Sequence, residues 1–466
     1  MIRESSYANP FHNELANTTD ASTPASSAAL RTLLSGDGIR VRTGLPPSGS
    51  IVVGHYPGEI APAITHDFWR RKAKMSLLRF VRPMGIYETL YAFLDVFGTY
   101  MGEPGTHPWS QGFPRTVQLP GGPKLPSTVD VSSDHLMYPK AWGMPALRQA
   151  IAGYYNHAYG SRLAPENVMV FAGGRPAIVA SLLFLDPDIT VRVASTEYTP
   201  YYDILERLGR AYTLVHSGVE NGFAPSVEDY LAAEGRSLIV ASNPCNPTGV
   251  TRAGDELERL VEAACSGRCG LLIDEAYELF HEPPVSALQY VENIDESDVL
   301  VVGAATKGLQ APGIRIGWII ASREHVETLS NFSSFGMGGV SHPSQCYALE
   351  LFGEQRIELA RAAVPAFYQG QRDRYGEAFE RLGLELFSGR GGFYHWCRLP
   401  DGRTAAQLNE RLFPMGAAVL EGTDCDMGRR GDGSPLRSFF RFSFGPLGPE
   451  SFEEDVLLLE RALGGG

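Results

Sequence analysis

Between Val168 and Ala321 the chain alternates short apolar, β-branched runs with longer stretches of helical period. The runs are VMVF (168–171), VRVAS (191–195), LIVAS (238–242), LLID (271–274), VLVVG (299–303) and IGWIIA (316–321). Most are apolar throughout and do not alternate, the pattern of strands covered on both faces. PAIVASLLFL and AGDELERLVEAAC, which lie between them, repeat apolar residues at helical spacing. This order predicts an α/β fold with a largely parallel sheet. Upstream, LRQAIAGYYNHAYG predicts a helix from Met144 to Tyr159 that ends at Gly160. WRRKAKMSLLRFV and IYETLYAFLDVFGTYM predict one or two amphipathic helices between Phe68 and Tyr100, and the Gly- and Pro-rich stretch 102–126 predicts an irregular loop. From about Ser344, helices mix with GGFYHW, AAVLEG and FFRFSF, which suggests a smaller α+β domain. Residues 13–50 are rich in Ser, Thr, Ala, Gly and Pro and read as a mobile extension. The resulting division is 1–67 as a flexible extension, 68–135 as a helical segment and loop, 136–343 as a large domain and 344–466 as a small one.

Composition narrows the function classes. The 466 residues are 44% hydrophobic and 20% charged, ordinary globular values. A net charge of −13 repels phosphate at long range, which argues against nucleic acid or an anionic membrane surface as partner. No apolar run is long enough to cross a bilayer, and the N-terminus carries no secretory pattern. Of the six cysteines only Cys265 and Cys269 are close in sequence, and no second pair or nearby histidine completes a zinc pattern. Separate free thiols in a reducing cytoplasm is the simpler reading.

Ligands of open α/β sheets sit at the carboxyl ends of strands, so the residues just past each run are the place to look. After VMVF, Gly173-Gly174-Arg175 leads into a helix, whose first N–H groups can hold a phosphate; a plain strand-to-helix turn is the alternative. After LIVAS comes NPCNPTG, in which two Asn-Pro steps predict an extended, rigid loop that fixes the Asn243 and Asn246 amides. LLID runs into Asp274-Glu275-Ala276-Tyr277, where the acid could bind a metal or a protonated ring nitrogen, or cap a helix. VLVVG runs into Ala304-Ala305-Thr306-Lys307, and a lysine directly after a buried strand suits a Schiff base with a carbonyl cofactor better than a surface charge. Arg315 follows closely enough to fork onto a phosphate.

Taken together, NPCNPTG, DEAY, the TK…PGIRIG stretch and the late FFRFSF resemble the class I/II aminotransferase family of fold-type I pyridoxal-phosphate (PLP) enzymes. The resemblance runs from about Tyr138 to the C-terminus. It implies the PLP-dependent transferase, aspartate aminotransferase-like fold, with PLP in the 136–343 domain and the 68–135 segment covering the active site. It implies that Lys307 holds PLP as a Schiff base and then moves the substrate α-proton. Asp274 would keep the pyridine nitrogen protonated, since a nearby carboxylate raises a ring cation's pKa by roughly 1–3 units. Tyr277 and Asn246 would bond the phenolic oxygen. Arg315, with backbone amides at Gly173, Gly174 and Arg175, would bind the phosphate. Tyr198 matches the ring that stacks on the cofactor, a core tyrosine being the other reading. Arg441 matches the arginine that clamps the substrate α-carboxylate. Tyr138 matches a tyrosine reaching the neighbouring subunit's phosphate, which implies a homodimer with shared sites.

Three positions depart from the family pattern. Ala304 stands where a phosphate-contacting serine is frequent, with Thr306 as the residue that would compensate. Thr196-Glu197-Tyr198 replaces a Pro-x-Tyr. Met337, ahead of Ser341, stands where dicarboxylate-specific members carry arginine. The implied activity is amino-group transfer between an amino acid and a 2-oxo acid, in amino acid metabolism. The same residues would also serve β/γ-elimination or replacement, aminocyclopropane-carboxylate synthase-like chemistry, decarboxylation or oxidation. A regulatory protein that kept the fold and lost catalysis is the alternative from another class, and the joint presence of Lys307, Asp274, Tyr277 and Arg441 argues against it.

Overall fold

Six apolar runs become neighbouring strands in a computed structural model that describes Val81 and residues 83–464. All of these lie in one unit spanning 63–466. The expected 1–67 extension and the WRRKAKMSLLRF part of the expected helices lie outside the described residues. The strands are β1 (Val168–Phe171), β2 (Thr190–Ala194), β3 (Tyr212–Val215), β4 (Ser237–Ser242), β5 (Gly270–Asp274), β6 (Val299–Ala304) and β7 (Gly317–Ile320). They form one seven-stranded sheet in the order β1-β7-β6-β5-β4-β2-β3.

Pairing is parallel from β6 through β5, β4 and β2 to β3, with registers such as Leu272 opposite Leu300 and Val240 opposite Leu272. Only β7 is reversed, pairing antiparallel with both β1 and β6. The carboxyl ends of β1, β2, β4, β5 and β6 therefore share one edge, and the start of β7 lies at that same edge. Chain segments far apart in sequence, 172–175, 195–198, 243–249, 274–277, 304–307 and 315–316, meet there as a consequence.

Helices cover the sheet. α1 (Ile86–Phe97) and α2 (Pro145–Tyr159) fall within the segments whose periodicity predicts helix. Pro145 opens α2, and Gly160 closes it in the left-handed conformation at φ 68° with its N–H bonded to Asn156 O. α3 (Gly174–Phe184) follows β1, α4 (Pro200–Leu208) follows β2, and α5 (Asp255–Cys265) precedes β5. Further on come α6 (Arg323–Phe332), α7 (His342–Leu351) and the 28-residue α8 (Glu354–Arg381).

The chain beyond α8 builds a second, antiparallel sheet from β8 (Glu385–Leu386), β9 (Tyr394–Arg398), β10 (Leu420–Glu421) and β11 (Phe439–Ser443), in the order β10-β11-β9-β8. Two more helices, α9 (Ala405–Leu412) and α10 (Phe452–Leu463), pack on it. Arg441 sits in the central strand β11, opposite Trp396 on one side and Leu420 on the other. The GGFYHW and FFRFSF runs are thus the inner strands of this sheet.

One local expectation is corrected. NPCNPTG is a compact turn and not an extended loop: Cys245 N–H bonds to Val250 O at 2.8 Å and Gly249 N–H to Cys245 O at 2.7 Å. Both Asn-Pro peptides are cis. These two hydrogen bonds fold the segment back on itself, and Asn246 ends up buried beneath it.

Candidate active site

The edge described above forms the floor of a site, and β9, β11 and the loop around Gly112 form its opposite wall. Lys307 follows β6 by three residues. Its Nζ donates to Gly112 O and lies 5.5 Å from the Tyr277 ring centroid and 5.8 Å from that of Phe393. Burial, with Arg441 and Arg175 nearby, lowers the amine to about 7. Near neutral pH a large share of this lysine is therefore an uncharged nucleophile.

Asp274, the last residue of β5, is buried. Its carboxylate accepts from Ala276 N–H and from the Tyr201 hydroxyl, each at 3.1 Å. Burial holds this carboxyl above its ordinary range, while the two donors and the Lys307 charge pull it back. No helix begins at Asp274, so the helix-cap reading is set aside: the next element is a single 3-10 turn at Glu278–Phe280. Among the described residues no group of three or more His, Cys, Asp or Glu is placed to hold a metal, so none surrounds Asp274.

Where β1 meets α3, Gly173 adopts φ 106°, and a Cβ built there would meet Arg315 Nη2 at 2.5 Å. The glycine thus lets the guanidinium lie against the turn. No side chain caps α3, so the N–H groups of its first turn stay free beside Arg315. A helix start without an intrahelical or capping acceptor, next to a cation, is an anion cradle. At 304 the chain turns only a methyl toward Gly174, 3.8 Å from the Cβ a side chain there would have.

Arg441 is buried. Nη1 donates to Asn246 Oδ1 at 2.8 Å and Nη2 to Ser110 O at 2.7 Å, its guanidinium lies 4.2 Å from the Tyr394 ring centroid, and Nε has no partner. A buried cation whose bonds go only to neutral groups, with N–H donors left over, is short of an anion.

Lys307, Asp274, Tyr277, Asn246, Gly173, Gly174, Arg315 and Arg441 are therefore gathered along this one edge and its facing wall. Tyr198 stands half-buried at the start of α4, edge-on to Tyr201 at 5.4 Å, with the Arg175 side chain within hydrogen-bond reach of its hydroxyl. Thr306 is half-buried next to Lys307 in the chain. Tyr138 stands apart, 91% exposed.

Tyr201, Gly112, Ser110, Tyr394 and Glu197 escaped the sequence reading. Tyr201 bonds Asp274. Gly112 and Ser110, within SQGFP of the irregular loop, reach Lys307 and Arg441. Tyr394 pairs its hydroxyl with that of Tyr277 at 2.5 Å. Glu197 is visible in the sequence only as a departure from Pro-x-Tyr. Its carboxylate accepts from Ser242 N–H (2.9 Å), Ser242 hydroxyl (2.7 Å) and Tyr198 N–H (2.7 Å), and Ser242 Oγ accepts in turn from Asn246 N–H at 3.1 Å. It ties the end of β2 to the Asn246 turn, and burial pushes it up to about 7.

The family described as aminotransferase class I and II matches residues 125–452. The chain belongs to that family. It is similar to an LL-diaminopimelate aminotransferase of Dehalococcoides mccartyi, at 28% identity over 61% of this chain and 75% of that one. A valine–pyruvate aminotransferase of Mycobacterium tuberculosis is 28% identical over 70% of this chain and 82% of its own length. Among solved structures, aspartate aminotransferase from Thermus thermophilus with maleate superposes with a TM-score of 0.62 at 25% identity, covering 75% of this chain and 92% of that one. The fold is the aspartate aminotransferase-like fold of PLP-dependent transferases. The protein is a PLP-dependent aminotransferase, and nothing among these relatives favours elimination, decarboxylation or oxidation instead.

Proposed function

We propose that this aminotransferase works through Lys307, whose Nζ would hold PLP at its aldehyde carbon with loss of water, and whose amine would carry the substrate α-proton. The observation that carries the reading is a half-buried lysine, lowered to about 7, in one site with a buried acid and a buried arginine that lacks an anion. The residues fit the cofactor group by group. The uncapped start of α3 at Gly174 and Arg175, with Arg315 beside it and Thr306 near, suits the phosphate, whereas the Gly173 N–H is already donated to Phe171 O at 2.8 Å. Asp274 suits the ring nitrogen, Tyr277 and Asn246 the phenolic oxygen, and Tyr198 the ring face. When bound, PLP supplies the electron sink that lets an α-proton be removed.

The chain's own residues do the rest. Arg441 binds the substrate α-carboxylate through its free donors, and its bond to Asn246 Oδ1 orients both groups at once. Asp274 would keep a proton on the pyridine nitrogen. The Lys307 amine would be the base that takes the substrate α-proton. Gly112 and Tyr394 close the wall on this face and exclude water.

Tyr138, together with the exposed Leu136 and Met137 (83% and 73%), supports a homodimer in which this tyrosine serves the neighbouring site. The presence of two separate sheets supports the 136–343 and 344–466 division, with 68–135 contributing to the small domain and the active-site cover. All six cysteines are unpaired, which supports a reducing cytoplasmic setting. Incubation with single amino acids and 2-oxo acids, with product amino acids identified by mass spectrometry, tests the reading. Amino-group transfer that vanishes in K307A supports it; transfer that survives in K307A removes Lys307 from its role.

A further inference from the structure

Tyr394 has chemistry that the scheme above leaves almost unused. It opens β9 one residue after Gly391-Gly392, and only 1% of it is exposed. Arg372 of α8 donates to Gly389 O (3.0 Å), Gly391 O (2.7 Å), Gly392 O (2.5 Å) and Tyr394 O (3.1 Å). The turn that delivers the ring is thus clamped by one guanidinium. The ring then lies between two site residues, with its hydroxyl 2.5 Å from that of Tyr277 and the Arg441 guanidinium 4.2 Å from its centroid. A Cβ at Gly112 would come 2.7 Å from the Tyr394 hydroxyl, so the missing side chain there leaves room for this arrangement.

Two hydroxyls joined by one hydrogen bond leave one proton over, and the ring that donates decides where the other proton points. The Arg441 charge pulls the Tyr394 hydroxyl down against the effect of its burial. Tyr277 is held well above the ordinary tyrosine range, first by burial and then by Tyr394. Either hydroxyl can donate across this 2.5 Å contact; where Tyr277 gives its proton to a third group, as the reading above requires, the Tyr394 proton is the one left to join the two oxygens. A hydroxyl that accepts one hydrogen bond also donates a stronger one.

We propose that Tyr394 is a positioning residue for transamination: its hydroxyl donates to Tyr277, freeing the Tyr277 proton for the cofactor's phenolic oxygen, while its ring supports Arg441. This rests on the roles given to Tyr277 and Arg441 above.

The test is a pH titration of bound-cofactor absorbance in the reconstituted wild type, Y394F, Y277F and the double variant, with KM for an amino donor measured alongside. In Y394F the midpoint should rise by roughly 0.5–1 pH unit, the loss of one modest hydrogen bond's help to an anionic oxygen. Y277F should shift it further, and the double variant no further than Y277F, because Tyr394 acts through Tyr277. KM should stay near wild type in Y394F, which keeps the ring, and rise roughly three- to tenfold in Y394L, which removes it. An unmoved midpoint in Y394F, a shift that adds in full to that of Y277F, an unchanged KM in Y394L, or a Y394F protein that no longer takes up cofactor would each overturn the proposal. A wild-type protein without cofactor absorbance overturns the Lys307 reading itself, which separates the two failures.

Discussion

Asp274 and Glu278 are buried carboxylates four residues apart on one loop, and their surroundings differ sharply. Glu278 accepts from the hydroxyls of Tyr154, Tyr159 and Tyr155, and Arg361 stands 3.6 Å away with its guanidinium over the Tyr154 and Tyr159 rings at 5.6 and 5.1 Å. Asp274 has two neutral donors, a second buried acid nearby at Glu197, and as nearby cations only Arg175 and a lysine lowered to about 7, with no ion pair among the described residues. One acid is saturated and cross-links α2 to α8. The other is left short of positive charge where a protonated ring nitrogen would restore the balance. Buried polar groups are ordinarily satisfied, so the deficit marks the working site and the saturated cluster marks the core.

The sharpest break between the two would come from paired neutral substitutions. D274N should lower kcat by roughly 10²–10³-fold, as removal of a placed electrostatic group does, with little loss of folding stability. E278Q should do the reverse, costing about 3–5 kcal/mol in denaturant unfolding because it strands Arg361, with kcat near wild type. Similar losses from both substitutions in both assays would erase the distinction.

Next in size is a pair of arginines. R441K replaces a forked donor by a point charge and should raise KM for amino donors roughly 10–100-fold, the worth of a charged hydrogen bond. R361K should leave KM alone and shift only the unfolding midpoint. The pH dependence is smaller and has a definite sign. With its amine lowered to about 7, Lys307 is protonated and unreactive below that value. Cofactor uptake by the apo-protein should fall about tenfold per pH unit below 7 and level off above it, instead of climbing toward the ordinary lysine range. Stopped-flow absorbance at several pH values checks this. The smallest effect is expected from Y155F, which removes a 3.4 Å contact to Glu278 and the acceptor of the buried Trp318 Nε1–H at 3.2 Å: about 1–3 kcal/mol of stability and no kinetic change.

The same contrast explains what could be read from the sequence. The strands β1, β2, β4, β5, β6 and β7 were legible because burial on both faces leaves largely apolar runs, even at the edge strand β1, whose four residues are all buried. β3, at the other edge, was not, because Thr213 and Leu214 are exposed. α8 carries Pro365 inside it and mixes buried with charged positions along all its length, so its period is faint. Residues placed by strand ends, such as Gly173, Asp274 and Lys307, could be located because topology carries each strand terminus to one edge. Gly112, Ser110 and Tyr394 arrive from other parts of the chain, and their meeting with Lys307, Arg441 and Tyr277 spans separations of 195, 331 and 117 residues. No local period records such an approach. Glu197 showed itself as an irregularity in a motif, and its partner Ser242 lies on a different strand.

Borohydride reduction of the PLP-treated protein, followed by peptide mass spectrometry, tests the central claim most directly. The expected result is one phosphopyridoxyl adduct, on the peptide that contains Lys307, formed in wild type and absent in K307A. A colourless protein with no lysine adduct, or an adduct carried by another lysine while Lys307 stays free, would contradict it.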